Sequence, residues 1–408
     1  MLMIRAARLF DGERFVPGPA TVVVEDGAIT SVETGRPDPP EHAEVLDLGD
    51  VTVLPGLVDT HVHLVGDSGW GALDRVAGYS PEELASVVEE SLRPQLAAGV
   101  TTVRDLGDRG WVAVEHRNRQ RQDGGRREPT VLASGPPLTS RQGHCHYMGG
   151  EVEGRDAIAR AVQERAERAV DVVKVMASGG MTTPGTDVLR TQFTDEEMAF
   201  LVDEAHRHGL PVTAHAHGLP AVQQALAAGA DGLEHCSCLT ETGMSVPDDV
   251  LDTLAARRTP IGAGLGVPPR EAMERAPAGL RAMMERTGFT PESFRQMRLD
   301  VVRRMHEAGA RFVAGRDSGI SPFLAHGSLH EGLSFLAEAG ATVEQALAAA
   351  TSLAADACGV GDRKGRLRPR FDADLLAVRG DLRHDIGRLS DVSSVVLGGE
   401  LVLDGRPG

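Results

Sequence analysis

The chain has 408 residues, of which 41% are hydrophobic and 25% are charged, a globular composition that excludes a disordered chain, a collagen or a coiled coil. Acidic residues outnumber basic ones by 59 to 42, and the net charge of −17 disfavours nucleic acid and anionic membranes as partners. No apolar stretch reaches the ~18 residues of a membrane-spanning helix. Four cysteines and the lack of an export signal predict a cytoplasmic protein without a disulfide framework.

Both ends of the chain have the pattern of short β-strands. Residues 21–24 and 28–32 flank a turn and predict a hairpin, and β-branched residues return at 392–397. Two all-β segments at opposite ends of a chain most simply pair with each other. We therefore predict a small β-sandwich domain built from residues 1–55 and 358–408.

The middle of the chain, residues 56–357, alternates short β-branched runs with Ala-, Glu- and Arg-rich helical stretches. Ser80 and Thr194 have the sequence context of helix N-caps. Alternation of strands and helices indicates a parallel sheet, and eight such units predict an α/β fold of the closed (β/α)8 TIM barrel type. The expected strands are Leu57–His61, Thr101–Asp105, Thr130–Ala133, Val172–Val175, Val212–His215, Gly232–His235, Thr259–Ala263 and Phe312–Gly315.

Polar residues stand at the ends of five of these strands, on the face where barrel enzymes carry their sites. They are His61, His63, Lys174, His215, His235 and Asp317. His61 and His63 are two apart in an extended segment, so both rings point to the same side and can bind one metal ion. Lys174 lies in an apolar run, where it is either paired with an acid or desolvated with a lowered pKa. A single histidine at a strand end is usually a satisfied polar residue, but five such strand ends together favour a site.

These motifs resemble the amidohydrolase superfamily of metal-dependent hydrolases. The matching blocks are LPGLVDTHVHL (54–64), VTTVRDLG (100–107), VVKVMASGG (172–180), VTAHAHG (212–218), GLEHCS (232–237) and AGRDSG (314–319). Gly143-His144 and residues 148–151 and 178–185 are typical of its prolidase-like, imidazolonepropionase-like branch. The resemblance covers essentially the whole chain.

The resemblance implies a site for two divalent metal ions, zinc by default, that share a bridging hydroxide. By the family pattern, the more buried ion is held by His61, His63 and Asp317, and the more exposed ion by His215 and His235. Lys174, carboxylated by carbon dioxide to a carbamate, bridges the two ions. The resemblance also makes Asp317 the catalytic residue that takes the proton of the attacking hydroxide and passes it to the leaving amine.

Residues beyond these ligands are expected to contact the substrate. The resemblance makes His144 a catalytic donor to the substrate carbonyl. The alternative for His144 is a loop histidine that is exposed to solvent. The resemblance makes His217 and Tyr147 further substrate contacts. Arg104 and Asp105 are interpreted as a structural pair. The segment 262–298 is either a lid over the site or an exposed helical excursion.

The expected function is hydrolysis of an amide-type C–N bond in a small molecule, by a dipeptidase of Xaa-Pro type or an N-acyl amino acid amidase. A cyclic amide or imidazolone hydrolase and a catalytically silent binding barrel are the alternatives. Deamination is disfavoured because no acid follows His215 closely. A homo-oligomer is expected.

Overall fold

The computed structural model describes residues 1–124, 127–264 and 278–405. The fold is α/β, with parallel and antiparallel strands in its sheets. The strands of these ranges are β1 (Leu2–Ala6), β2 (Arg8–Phe10), β3 (Phe15–Val16), β4 (Ala20–Glu25), β5 (Ala28–Thr34), β6 (Glu44–Asp47), β7 (Val51–Pro55), β8 (Leu57–Val62), β9 (Val100–Asp105), β10 (Thr130–Ala133), β11 (Thr139–Ser140), β12 (Glu151–Val152), β13 (Val173–Met176), β14 (Val212–Gly218), β15 (Gly232–Thr240), β16 (Gly243–Met244), β17 (Pro260–Gly264), β18 (Arg311–Gly315), β19 (Leu375–Arg379), β20 (Val392–Leu397) and β21 (Glu400–Asp404).

Helices alternate with the central strands. The α-helices of the described ranges are α1 (Ala72–Val76), α2 (Pro81–Ala97), α3 (Val112–Asp123), α4 (Gly154–Glu167), α5 (Asp195–Arg207), α6 (Leu219–Ala228), α7 (Asp248–Arg257), α8 (Ala278–Thr287), α9 (Pro291–Glu307), α10 (Leu329–Glu338), α11 (Val343–Ala349) and α12 (Ser352–Ala357). Short 3-10 turns lie at His146–Met148 and Ile386–Ser390.

The expected helix starts are present, with the caps that the sequence indicated. The Ser80 side chain caps α2 in a capping box with Glu83, and Thr194 caps α5 in the same way with Glu197. Each cap satisfies backbone N–H groups that a helix end leaves without partners. The apolar stripe of α2 then packs into a buried cluster together with Val103 of β9.

Strands from the two ends of the chain share one sheet. A four-stranded sheet has the order β5-β4-β1-β6, and a second sheet, β21-β20-β19-β7-β2-β3, combines N-terminal and C-terminal strands. In that second sheet Leu54 of β7 lies opposite Leu376 of antiparallel β19. Side chains of both sheets meet in one apolar cluster that includes Ile4, Val22, Val53, Leu375 and Val396.

The middle of the chain contains all eight expected strands, and those that pair with one another are parallel. They form two sheets, β8-β9-β10 and β13-β14-β15-β17-β18. Isolated parallel bridges join Leu138 to Val175 and Val62 to Ser318, at the two places where the sheets adjoin. The carboxyl ends of these strands therefore come together on one side of the molecule.

Two of the eight strands run several residues further than the sequence indicated. β14 continues past His215 to Gly218, and β15 continues past His235 to Thr240. Their pairing shifts register between Ala216 and Gly218. A register shift of this kind changes the direction of the following side chains, which alternation alone does not predict.

Candidate metal centre

The six polar residues expected at the strand ends lie on the same side of the sheets. His61 belongs to β8, Lys174 to β13, His215 to β14 and His235 to β15, while His63 directly follows β8 and Asp317 lies two residues after the end of β18. The first five are buried, and Asp317 exposes 14% of its side chain. The fold therefore concentrates ionisable groups in a place from which water is largely excluded.

Asp317 contacts the two histidines from β8. Its Oδ1 lies 3.3 Å from His61 Nε2 and 3.3 Å from His63 Nε2. The other nitrogen of His63, Nδ1, lies 3.0 Å from the carbonyl oxygen of Gly107, and that partner fixes the proton on Nδ1. Burial by itself would raise the pKa of Asp317, but His61 and His63 hold it below its usual range. Asp317 is therefore an ionised carboxylate between two ring nitrogens.

Three further histidines form a second group beside the first. His215, His217 and His235 each offer a ligand atom within 4.8 Å of the others. Their ring centroids are 4.4 to 4.7 Å apart. Burial lowers the pKa of His217 to about 3 and holds the pKa of His235 well below its usual value. The rings are therefore neutral, which is the form that binds metal ions.

Lys174 is a buried amine without a partner among the described residues. The residue is 1% exposed, and its Nζ makes no hydrogen bond. Burial lowers the pKa of Lys174, although Glu234 and Asp317 act in the opposite direction. An unpaired ammonium in such a place would be costly. The surrounding side chains of the described residues do not supply a hydrogen-bond partner for this nitrogen.

The two groups are contiguous and fit a divalent metal ion. His235 belongs to the second group and also lies, with His61 and Asp317, in a set of ligand atoms that are all within 4.8 Å of one another. Neutral imidazole nitrogens and one carboxylate are ligands that zinc and similar ions accept. The cluster could therefore hold divalent metal at the carboxyl ends of the parallel strands.

Glu234 contacts the cluster, and the sequence reasoning passed over it. Its Oε2 lies 3.0 Å from His61 Nδ1, on the side of the ring that faces away from Asp317. Arg104 donates to its Oε1 at 3.1 Å, and the Thr213 hydroxyl donates to the same oxygen at 2.7 Å. Burial would raise the pKa of Glu234, but His61 and Arg104 lower it to about 2. A glutamate inside an apolar strand needs such partners, and that was the available signal.

We expect Glu234→Leu to lower the free energy of unfolding by about 3–5 kcal/mol, because it leaves the buried Arg104 guanidinium without its carboxylate. Chemical denaturation of the metal-free protein followed by circular dichroism measures the change. Glu338→Leu is the matched control, since Glu338 pairs with Arg295 while both are exposed, and it should cost at most about 1 kcal/mol. Equal losses in the two variants would contradict a structural role for the buried pair.

The expected pairing of Arg104 with Asp105 is wrong. Successive residues of a strand point to opposite faces, so the two side chains diverge. Arg104 reaches Glu234, whereas Asp105 accepts backbone N–H groups from Leu64 at 2.8 Å and Gly107 at 3.1 Å. Asp105 thus fixes the backbone next to His63 rather than the arginine beside it.

Asp317 sits in a backbone conformation that its neighbours hold in place. Its φ of 59° lies in the left-handed region, which costs a non-glycine residue of order 1–3 kcal/mol. Asp59 accepts from the Arg316 N–H and from the Ser318 hydroxyl, each at 3.0 Å, and so secures both sides of Asp317. Burial raises the pKa of Asp59 to about 6.

The side chain of Arg316, the residue before Asp317, points away from the metal cluster. Its guanidinium donates to the Ser328 hydroxyl at 3.1 Å.

His144 lies against the same cluster, with its ring centroid 4.7 Å from that of His215. Its Nδ1 is 2.8 Å from the Thr183 hydroxyl, which also accepts the Cys145 N–H at 3.1 Å. A Cβ at Gly180 would lie 2.1 Å from the His144 ring, so only glycine leaves room for it. Burial lowers the pKa of His144 to about 3. His144 is therefore a buried, oriented, neutral ring and not a loop histidine in solvent.

The other two expected substrate contacts differ in their surroundings. His217 lies within the second histidine group, and its Nδ1 is 3.0 Å from the Ser237 hydroxyl. The Tyr147 hydroxyl lies 3.8 Å from Cys145 Sγ and is partly buried, and burial raises the pKa of Tyr147. Tyr147 therefore contacts Cys145, which in turn contacts His144. His217 contacts the histidines His215 and His235 directly.

Only part of the segment 262–298 belongs to the described residues. Pro268 and Pro269 lie outside them. Where it is described, α9 packs against the protein: Phe294 is buried in a cluster with Val188 and Leu239. Arg298 is buried, and it donates to the carbonyl oxygens of His235 at 2.6 Å and Cys236 at 3.3 Å. This part of the segment supports the backbone of His235 and is not an exposed excursion.

Histidines, an aspartate and a lysine gathered at the carboxyl ends of parallel strands are the arrangement that metal-dependent enzymes of the α/β class use. The model of the Amidohydrolase family matches residues 52–402 of this chain. The chain therefore belongs to the amidohydrolase family, as the sequence motifs predicted, and is a hydrolase acting on C–N bonds.

Similar proteins include ochratoxinase from Aspergillus niger, 27% identical over 381 residues that cover 86% of this chain and 75% of that protein. Imidazolonepropionase from Deinococcus deserti is 29% identical over 406 residues, covering 90% of this chain and 88% of the relative. The crystal structure of a Xaa-Pro dipeptidase with methionine bound in its active site is similar with a TM-score of 0.83 and 25% identity, over 98% of this chain and 99% of that one.

Within the described ranges, the helices are all too short or too polar to cross a membrane.

Proposed function

We propose that this chain is a binuclear metal-dependent hydrolase that cleaves an amide bond in a dipeptide or an N-acyl amino acid. The observation that carries the proposal is the buried, unpartnered Lys174 amine next to histidines and Asp317. A neutral amine can add carbon dioxide, with loss of one proton, to give a carbamate, whose two oxygens would serve as metal ligands. The likeness to an ochratoxinase and a Xaa-Pro dipeptidase supports amide hydrolysis.

The proposal includes a closed (β/α)8 barrel over residues 56–357 and a β-sandwich from residues 1–55 and 358–408. The eight parallel strands and the two bridges between their sheets support closure of the barrel. The apolar cluster shared by the two terminal sheets supports the sandwich. Four free cysteines suit a reducing compartment, which favours the cytoplasm.

In this proposal His61, His63 and Asp317 bind the inner ion, and His215 and His235 bind the outer one. Carboxylated Lys174 would supply oxygen ligands to both ions. Zinc is the default choice for a histidine-rich site. Such a pair of ions, when bound, activates water and polarises the scissile carbonyl.

The protein's own groups hold and move the protons. Asp317, whose pKa the two histidines depress, accepts a proton from the attacking water and delivers it to the leaving nitrogen. In this proposal the Thr183 hydroxyl donates its proton to His144 Nδ1, so that the ring proton is on Nε2. His144 Nε2 then donates to the substrate carbonyl oxygen. His217 and Tyr147 line the space around this pair.

A cyclic amide or imidazolone hydrolase is the second candidate. The relative that favours it is imidazolonepropionase, which covers 90% of this chain at 29% identity. Both candidates use the same metal ligands and differ only in the shape of the amide, so turnover of linear and cyclic substrates decides between them.

We expect the protein to bind close to two divalent ions per chain, as a two-metal hydrolase site does. Elemental analysis of protein purified without chelator, and again after supplementation with zinc and bicarbonate, measures this content. The same samples are screened against dipeptides, N-acyl amino acids and cyclic amides, with chelator-treated protein as the control. One ion or none after supplementation would contradict the binuclear site, and turnover confined to cyclic amides would favour the second candidate.

A further inference from the structure

Arg298 of α9 is a buried arginine next to the histidine cluster. The residue is 4% exposed, and its guanidinium donates to the carbonyl oxygens of His235 at 2.6 Å and Cys236 at 3.3 Å. These carbonyls belong to the part of β15 that carries a candidate metal ligand. A guanidinium has five N–H groups, so three of them remain without a partner in the described residues.

No carboxylate of the described residues compensates the charge of this guanidinium. Burial lowers the pKa of Arg298, and the groups that act in the opposite direction are the thiols of Cys236 and Cys238. The contact with Cys236 and burial raise the pKa of Cys238, so that thiol is uncharged at neutral pH. Backbone carbonyls hold the Arg298 side chain in place but have no net charge. A buried charge without a counter-charge is costly.

The other buried arginines of the described ranges have such a partner. Arg165 lies over the ring of Trp111, 5.3 Å from its centroid, and the remaining three pair with carboxylates. These pairs are Arg104 with Glu234 at 3.1 Å, Arg117 with Asp171 at 2.7 Å and Arg316 with Glu331 at 2.5 Å. Arg298 has neither a carboxylate nor an aromatic partner within those ranges, which sets it apart from the arginines that only stabilise the fold.

The Arg298 guanidinium lies close to the outer histidines. Burial lowers the pKa of His217 to about 3, and among the charged groups Arg298 adds most to that shift, as expected for a charge that lies nearby. The His217 ring stacks on the His235 ring, with 4.4 Å between centroids and 17° between planes. Arg298 therefore places a positive charge beside these two rings, at the carboxyl ends of the strands where a barrel enzyme binds its substrate.

We propose that Arg298 is a substrate-binding residue that binds a free carboxylate of the substrate. A carboxylate accepts two parallel hydrogen bonds from a guanidinium, so it supplies both the missing counter-charge and partners for the remaining N–H groups. The inference rests on the proposed function and narrows it. The amide that this protein cleaves carries a free carboxylate, as a dipeptide or an N-acyl amino acid does, and neutral amides are poor substrates.

Binding of matched acids and amides by the zinc-loaded protein tests the inference. The probes are the N-methylsulfonyl derivatives of alanine, leucine and phenylalanine, each as the free acid and as the carboxamide, since a sulfonamide resists the hydrolysis expected of an amide. Isothermal titration calorimetry gives the ratio of the two dissociation constants in each pair. We expect wild-type protein to prefer the acid by about 10–100-fold, which is what a hydrogen bond to a charged group contributes.

Arg298→Gln should reduce this preference about 10-fold or more and leave the affinity for the carboxamide nearly unchanged. Attraction of the carboxylate to zinc is common to all variants with the same zinc content, so the change reports on Arg298. Arg298→Lys keeps the charge but not the two-point contact, and its preference should lie between those of wild type and Arg298→Gln.

Arg165→Gln is the matched control. Arg165 is also buried and donates to a backbone carbonyl, that of Ala161 at 2.7 Å, but it lies outside the candidate ligands. This variant should lose stability and keep the wild-type preference for the acid. A preference that Arg298→Gln retains in full, or wild-type protein that binds both members of every pair equally, would overturn the inference.

The outcome also separates this inference from the proposed function. If the protein cleaves amides while Arg298→Gln prefers the acid as the wild type does, only the carboxylate site is wrong. If the preference for the acid depends on Arg298 but none of the amides in the screen is cleaved, the proposed substrate is wrong and the carboxylate site stands.

Discussion

Asp317→Asn should lower turnover by about 10²–10⁴-fold, which is the usual contribution of a positioned general base. Asparagine keeps one oxygen at the metal cluster but cannot take up a proton at neutral pH. Because His61 and His63 depress the pKa of Asp317, the wild-type carboxylate is ionised and ready to accept at neutral pH. Turnover of the best substrate from the screen, with metal content measured on the same sample, provides the test.

The control is Glu331→Gln, a change of the same kind at an exposed carboxylate on α10 that pairs with Arg316 and lies outside the candidate ligands. It should leave turnover nearly unchanged. Wild-type turnover should fall only at acid pH, because the depressed pKa of Asp317 keeps its carboxylate ionised until the pH approaches that value. Near-normal turnover of fully metallated Asp317→Asn would show that another group carries the proton, and His144 would be tested next.

Lys174→Ala should remove most of the activity, because no carbamate can form between the two ions. Binding of both ions should be weakened and the wild-type metal content lost, while the fold is retained, since the replaced amine makes no hydrogen bond to the described protein. Turnover and metal content of the variant measure both effects. Wild-type activity with wild-type metal content would show that the lysine has only a structural role.

Added acetate or formate should partly restore Lys174→Ala, since a small carboxylate fits the space that the lysine side chain leaves and supplies two oxygens. Lys174→Met is the control for this rescue, because its side chain fills that space. Restoration in both variants alike would point to a nonspecific effect of the anion, and restoration in neither would argue against a bridging carboxylate.

The sequence by itself determined the parts of this protein that depend on local pattern. The eight β-branched runs appear as the eight central strands, and the caps at Ser80 and Thr194 start α2 and α5. The polar residues at the strand ends also identified the family that the comparison confirmed. These features are visible because each follows from neighbouring residues along a strand or a helix turn.

Only the tertiary structure decided which of these groups act together. Arg104 pairs with Glu234, which is 130 residues away, and not with the adjacent Asp105, because successive strand residues point to opposite faces. His217 joins His215 and His235 because two strands place the rings side by side. The tautomer of each histidine likewise depends on its hydrogen-bond partner, such as Gly107 for His63. Long-range pairings of this kind arise from the packing of distant strands, and residue spacing along the chain does not contain them.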